Sequence, residues 1–299
     1  MLLRSIWQSY LATLPLLSAV RYTTSSNAHI SDEVIKANPL SKTIGKFIKI
    51  MGATVIDSFS SSPTSFLCLC PSYLEFAYTQ VVNGIGPERH LISCLTLLNK
   101  VLNCDYPDET SNQIQREFYL PRLKELYEAL ITKYFLLTEA DLREWDESPE
   151  IFAIGEDIDN AEVKKKSCAE VLYASLIKHL PQLVPIVVAS IQNSQGSNLQ
   201  ALLCKDACYA AAQHAVYDLW NDIQFSDWFA SSLIYECQNT EPAFKIIHRR
   251  IALLVAHWVN VLTPQSRISI YDTMMALLRT SDIVVRMAAA YALESSKFS

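Results

Sequence analysis

An all-α fold assembled from consecutive helix pairs is what this sequence predicts, and three observations carry that prediction. Glycine and proline number only 6 and 12 in 299 residues, about half of ordinary usage. That is too few for sheets joined by tight turns or for glycine-rich phosphate loops. Apolar side chains recur at steps of three and four, and no segment reads as a credible strand. Half of the residues are hydrophobic, which excludes a disordered chain.

Taken in order, the spacing predicts helices around 2–20, 41–59, 64–82, 87–103, 112–135, 165–180, 182–193, 199–220 and 225–236. Breaks fall at Ser61-Ser62-Pro63, Asn83-Gly84-Ile85-Gly86-Pro87, Tyr106-Pro107-Asp108 and Gln195-Gly196-Ser197-Asn198. From Pro242 to Leu262, a single stripe carries Ile247, Ile251, Leu254, Trp258 and Val261. Pro264 stops that helix and opens the next, where Ile268, Tyr271, Met275 and Leu278 form a second stripe. Ser281-Asp282 then caps a third helix with Val285, Ala288, Ala289 and Leu293. Helix pairs recurring every 40–47 residues or so would place about six or seven in this length. Trp145, Trp228 and Trp258 read as core anchors.

The run Ser281-Asp282-Ile283-Val284-Val285-Arg286-Met287-Ala288-Ala289 has the form of a second helix of a HEAT repeat. Asp282 caps unpaired first-turn amides and suits the positive helix end. Ala288 and Ala289 allow close helix approach, and Arg286 is placed to reach the Asp of a neighbouring repeat, giving a ladder. The predicted fold class is therefore a HEAT-repeat α-α superhelix, or solenoid, extending over residues 1–299.

Four earlier segments, in order, complete a resemblance. They are Tyr134-Phe135-Leu136-Leu137-Thr138 through Trp145 to Phe152, Lys205-Asp206-Ala207-Cys208-Tyr209, Phe225-Ser226-Asp227-Trp228-Phe229, and Ile247-His248-Arg249-Arg250-Ile251 through Trp258-Val259. With the HEAT motif they resemble the importin-β (karyopherin-β) superfamily of nuclear transport receptors. In the first segment Ser148 stands where an Asp is common. The resemblance covers about residues 131–293, and residues 1–130 are compatible with it. It implies a binding solenoid without covalent chemistry that holds protein cargo on the concave face of its second helices. It implies Phe-Gly nucleoporin binding in seams between first helices, a cytoplasmic and nuclear location, and Ran binding by the full receptor. The family's N-terminal Ran-binding region and its C-terminal repeats have no counterpart in this sequence, which resembles a central part of a receptor. The alternative is a structural HEAT scaffold within a large complex.

Charge is concentrated. Ten acids between Glu139 and Glu162 face Arg143 alone, a local charge of −9 against −6 for the whole chain. Thr138 and Asp141 fit a capping box, and the stretch after Trp145 is expected to be an exposed acidic loop reaching Asn160. Glu144, Asp146, Glu147, Glu150, Glu156, Asp157 and Asp159 are its candidate contacts for a basic cargo, since a focused single-sign patch speeds encounter. Lys164-Lys165-Lys166 is the counter-possibility, folding back to neutralise part of it. That basic run is too short to serve nucleic acid, which needs a concentrated basic face.

Catalytic and cofactor signatures are weak. The cysteines at 68, 70, 94, 104, 168, 204, 208 and 237 lie mostly in apolar helical runs, as small hydrophobes. Cys204 and Cys208 share a helix face with His214 nearby, a conceivable metal site without the paired spacing zinc sites show. Cys68 and Cys70 suit no zinc knuckle. His248 and His257 stand near no recognisable nucleophile and acid, and Gly84-Ile85-Gly86 is a turn rather than a nucleotide fingerprint. The first 31 residues carry Arg4, Arg21 and an apolar run from Leu11 to Val20 but no acid. This is the pattern of a signal or mitochondrial presequence, but the n-region is minimal and no small-residue cleavage site stands out, which favours an amphipathic helix ending before Tyr22. No stretch reaches 18 uninterrupted apolar residues, so no membrane insertion is expected.

Overall fold

A computed structural model describes residues 71–84, 88–104, 108–155 and 164–295. The helices expected around 2–20 and 41–59, the N-terminal presequence pattern, Cys68 and Cys70 lie outside the described residues, as do Glu156, Asp157 and Asp159. Every described element is helical. Packing divides the chain into two compact units, Met1–Tyr106 and Pro107–Ser299.

In the first unit, α1 (Pro71–Asn83) packs on α2 (Glu88–Leu102). Leu74, Ala77, Tyr78 and Val81 are buried on one helix, and Leu91, Leu95, Leu98 and Val101 on the other. Gly84 closes α1 at φ 64°, where its N–H reaches the Gln80 carbonyl at 2.9 Å. Only glycine adopts that left-handed cap without a Cβ penalty.

The second unit opens with α3 (Asp108–Ile114), a π-helical turn at Gln115–Tyr119, and α4 (Leu120–Leu130). Pro121 has no N–H for the Glu117 carbonyl, and the Arg122 guanidinium donates to Glu117 O and Phe118 O instead. A second π turn, Ile131–Phe135, ends this helix. Next come α5 (Glu139–Glu147), α6 (Pro149–Gly155), α7 (Lys165–His179), α8 (Val184–Asn193) and α9 (Leu199–His214). The continuous helix expected over 199–220 breaks at Ala215 (φ −129°), leaving a short α10 (Val216–Leu219). The remaining elements are α11 (Phe225–Trp228), a π turn, α12 (Ile234–Gln238), α13 (Lys245–Trp258), α14 (Pro264–Leu277) and α15 (Ile283–Ser295).

Helix pairing keeps the expected order. α8 packs on α9, α12 on α13, and α14 on α15, while the second helices stack as α9, α13 and α15. Small residues make that stacking close: Ala207, Ala211 and Ala212 in α9, and Ala288, Ala289 and Ala292 in α15, are buried. Between them α13 buries Ile247, Ile251, Leu254 and Trp258, each worth about 1.5–3 kcal/mol of transfer free energy. Trp258 donates its indole N–H to the Ala212 carbonyl (3.2 Å) and stacks on Phe225 at 5.1 Å.

The stripe expected on α14 is corrected. Ile268 and Tyr271 are 73% and 55% exposed, and Ile270, Met274 and Leu277 face the interior. α14 is apolar on two faces, and its contacts with α15 and α12 select the one that is buried. Among the described residues no single helix is long and apolar enough to cross a membrane.

Candidate functional site

The acidic segment begins as the sequence indicates. The Thr138 hydroxyl accepts from Asp141 N (3.2 Å) and the Asp141 carboxylate accepts from Thr138 N (2.7 Å), a complete capping box. α5 then turns Trp145 inward, where it is buried.

Between Trp145 and residue 155 the chain forms a second short helix in place of the loop expected from its charge, and the rest of that loop lies outside the described residues. Pro149 opens α6, the Ser148 carbonyl accepts from Phe152 N (3.0 Å), and Phe152 is buried. Its ring stacks on Trp145 with centroids 5.1 Å apart, and α6 packs on α15. One aromatic side chain, seven residues after Trp145, outweighs the surrounding acids. It buries a large apolar surface, while the carboxylates stay in water at little cost.

Trp145 anchors a charged network across three stacked helices. Its indole N–H points at both Asp282 oxygens, 3.2 and 3.0 Å away. Lys245 Nζ stands 5.1 Å from the Trp145 ring, 2.6 Å from Asp146 Oδ1 and 3.7 Å from Asp282 Oδ2. The Arg249 guanidinium lies 5.7 Å from the Trp145 ring and 5.4 Å from that of Phe152. Burial, and then the neighbouring Arg250 charge, hold the Arg249 pKa well below the ordinary arginine value. Asp206 of α9 takes Arg250 Nε at 2.7 Å and Nη2 at 3.3 Å, with Arg249 Nη1 at 3.9 Å. Arg250 Nη1 donates to Gln213 Oε1 at 2.6 Å.

Asp282 and Arg286 make no Asp–Arg ladder contact among the described residues. Asp282 binds Trp145 and Lys245 and caps Val285 N (3.1 Å). Arg286 is exposed and has no ion-pair partner among the described residues. The Asp–Arg contact joining neighbouring second helices is Asp206–Arg250. Their separation of 44 positions hid the pairing from local pattern reading, although both residues lie in segments that carry the family resemblance.

Of the expected acidic contacts, Glu144, Asp146, Glu147 and Glu150 are exposed on α5 and α6. Asp146 is taken by Lys245, 99 residues away, so the lysine that approaches this carboxylate is not one of Lys164-Lys165-Lys166. Lys165 lies over the Tyr134 ring at 5.5 Å. Cys204 accepts from Gln200 Nε2 at 3.6 Å, and burial pushes the Cys208 thiol up to about 11. His214 Nε2 faces Glu170 Oε1 at 3.5 Å. Among the described residues no three His, Cys, Asp or Glu side chains group as a metal site would require.

Two seams open between first helices. One, of about 380 Å³, lies between α8 and the α11–α12 segment; Lys205, Tyr209, Trp228 and Glu236 line it. The other, of about 330 Å³, lies between α12 and α14, with Ile234, Cys237, Ala276 and Leu277 on its walls.

Stacked helix pairs crossed by an acidic, tryptophan-anchored segment make the fold all-α, of the HEAT-repeat type. A solved structure of Lph2, a bidirectional nuclear transport receptor of Saccharomyces cerevisiae, shares this fold with TM-score 0.76 and 23% identity. The match covers 98% of this chain and 31% of that one. The chain is 31% identical to human Importin-11 and 30% to mouse Importin-11, each over 279 residues and 85% of its length. It is 25% identical over 254 residues to the Saccharomyces cerevisiae importin beta-like protein KAP120. No protein-family model matches. The chain is thus importin-11-like in sequence over 85% of its length. It spans 28% of the length of the Importin-11 relatives it matches.

Proposed function

We propose that this chain acts as part of a nuclear transport receptor that binds protein cargo and nucleoporins and performs no covalent chemistry. The receptor passes between cytoplasm and nucleus. Basic protein cargo is held at the second-helix face, along the edge formed by Glu144, Glu147 and Glu150. Phe-Gly repeats of nucleoporins enter the seam between α12 and α14, against Ile234, Cys237, Ala276 and Leu277. Ran belongs to the full-length receptor, and no residue of this chain is assigned to it.

The observation supporting this reading most directly is the Trp145–Asp282 contact. It seats the acidic segment against the second-helix layer while Glu144, Glu147 and Glu150 remain exposed. A single-sign edge on a preorganised support attracts an oppositely charged partner and weakens as salt screens it. The test is binding of a basic cargo peptide and a Phe-Gly repeat peptide at two ionic strengths. Glu144→Gln/Glu147→Gln/Glu150→Gln should weaken only the first, and Ile234→Glu only the second. Wild-type affinity for both peptides in both variants would refute the assignment of these surfaces.

A further inference from the structure

The two first-helix seams differ in chemistry. Ile234, Cys237, Ala276 and Leu277 make one half of the α12–α14 lining and Gln238, Ser269, Asp272 and Thr273 the other, whereas the seam beside α8 is lined mainly by polar and charged residues. Into the latter project the amides of Gln192, Gln195 and Gln224, the carboxylates of Asp222 and Glu236, and the Trp228 indole. We propose that this cleft is a binding slot for an arginine side chain presented by a partner protein.

Charge decides the sign of the ligand. Lys205 and Glu236 form a largely buried ion pair, Nζ to Oε1 2.6 Å, that neutralises itself. Tyr209 donates its hydroxyl to the same carboxylate, 3.3 Å from Oε1 and 3.2 Å from Oε2. Burial first, then the Glu236 charge, raises the Tyr209 pKa, so the phenol stays a donor. Asp222, also on the cleft wall, has no ion-pair partner among the described residues. The cleft therefore carries one uncompensated negative charge and accepts a cation.

Shape selects a guanidinium over an ammonium. Trp228 is half-buried and held by two rings at near right angles, Tyr209 at 5.0 Å and Phe225 at 5.8 Å. A fixed indole lining a partly desolvated cleft attracts a cation, and the planar guanidinium also stacks on it. The acceptors suit a forked donor. A carboxylate offers about four lone-pair sites, and Glu236 Oε2 accepts only from Tyr209 among the described residues. Asp222 and the glutamine carbonyls add acceptors nearer the mouth. An ammonium would meet the charge but not the stacking surface.

The slot is independent of the transport reading, because Asp222 and Trp228 belong neither to the acidic segment nor to the α12–α14 seam. It is tested by NMR of the full chain, following the Trp228 indole N–H, assigned with Trp228→Phe, during titration with N-acetyl-arginine amide. The citrulline and lysine analogues serve as the neutral isostere and the compact cation. A saturable arginine-dependent shift is expected, with binding roughly three- to tenfold weaker for the lysine probe and for Asp222→Asn. Citrulline should give no saturable response. An equal response to citrulline or lysine, no saturation with arginine, or unchanged binding in Asp222→Asn would each overturn the proposal.

Discussion

Trp145 donates its indole N–H to the carboxylate of Asp282, 137 residues further along the chain. Asp282 also caps the first turn of α15 through Val285 N and lies within ion-pair distance of Lys245. One carboxylate thereby fixes the acidic segment, the start of α15 and the start of α13 relative to one another.

Removing the donor and removing the acceptor should therefore differ. Trp145→Phe keeps a ring against Phe152 but deletes a hydrogen bond to a charged group, a loss of about 1.5–3 kcal/mol. Asp282→Ala loses that bond, the helix cap worth about 1 kcal/mol, and a counter-charge for Lys245. Urea unfolding should rank Asp282→Ala as the more destabilised variant. Hydrogen exchange should show residues 139–155 opening first in both. The reverse ranking would mean that the cap and the lysine contact contribute nothing.

Arg250→Met should be among the most damaging single changes. Asp206 is fully buried and accepts both Arg250 contacts, so the substitution leaves a buried carboxylate facing Arg249 at 3.9 Å. Breaking a buried pair by removing one partner costs about 3–5 kcal/mol, whereas replacing both by apolar residues is often close to neutral. Asp206→Leu/Arg250→Met should accordingly recover part of the loss in denaturant midpoint. A double variant less stable than Arg250→Met alone would contradict this account.

The Asp146–Lys245 contact is as short, 2.6 Å, yet Asp146 is 69% exposed. Solvent screens such a pair, and exposed pairs contribute about 0–1 kcal/mol. Asp146→Asn should move the unfolding midpoint little, and raising the salt should erase the difference from wild type. A large, salt-independent loss would mean that Asp146 organises the segment itself.

Local chemistry made much of this legible in the sequence. The Thr138–Asp141 box and the Ile247, Ile251, Leu254, Trp258 stripe depend on neighbours a few positions apart, and the structure contains both. The buried face of α14 was not legible, because two apolar stripes compete there and only tertiary packing chooses between them. The acidic segment departs from expectation for a different reason. Its charges mask Phe152, whose spacing from Trp145 is the available signal of a second short helix. Lys245, Arg249 and Arg250 become visible as partners of Trp145 and Asp206 only once α9, α13 and α15 stand side by side.

His90 should make the stability of the first unit depend on acidity. It is 2% exposed on α2, beside Phe76 and with its Nε2 3.6 Å from Cys94 Sγ. Burial lowers its pKa from 6.5 to about 4. The unfolded chain therefore binds a proton between these values while the folded unit does not. Stability from this group is complete above about pH 6.5 and falls as the pH drops towards 4. The full loss for a shift of this size is about 3 kcal/mol. Hydrogen exchange of residues 71–102 should show protection falling between pH 7 and pH 5, after correction for intrinsic rates. His90→Leu should flatten that dependence, even if the variant is less stable throughout. An unchanged slope in His90→Leu would assign the acid sensitivity to other groups.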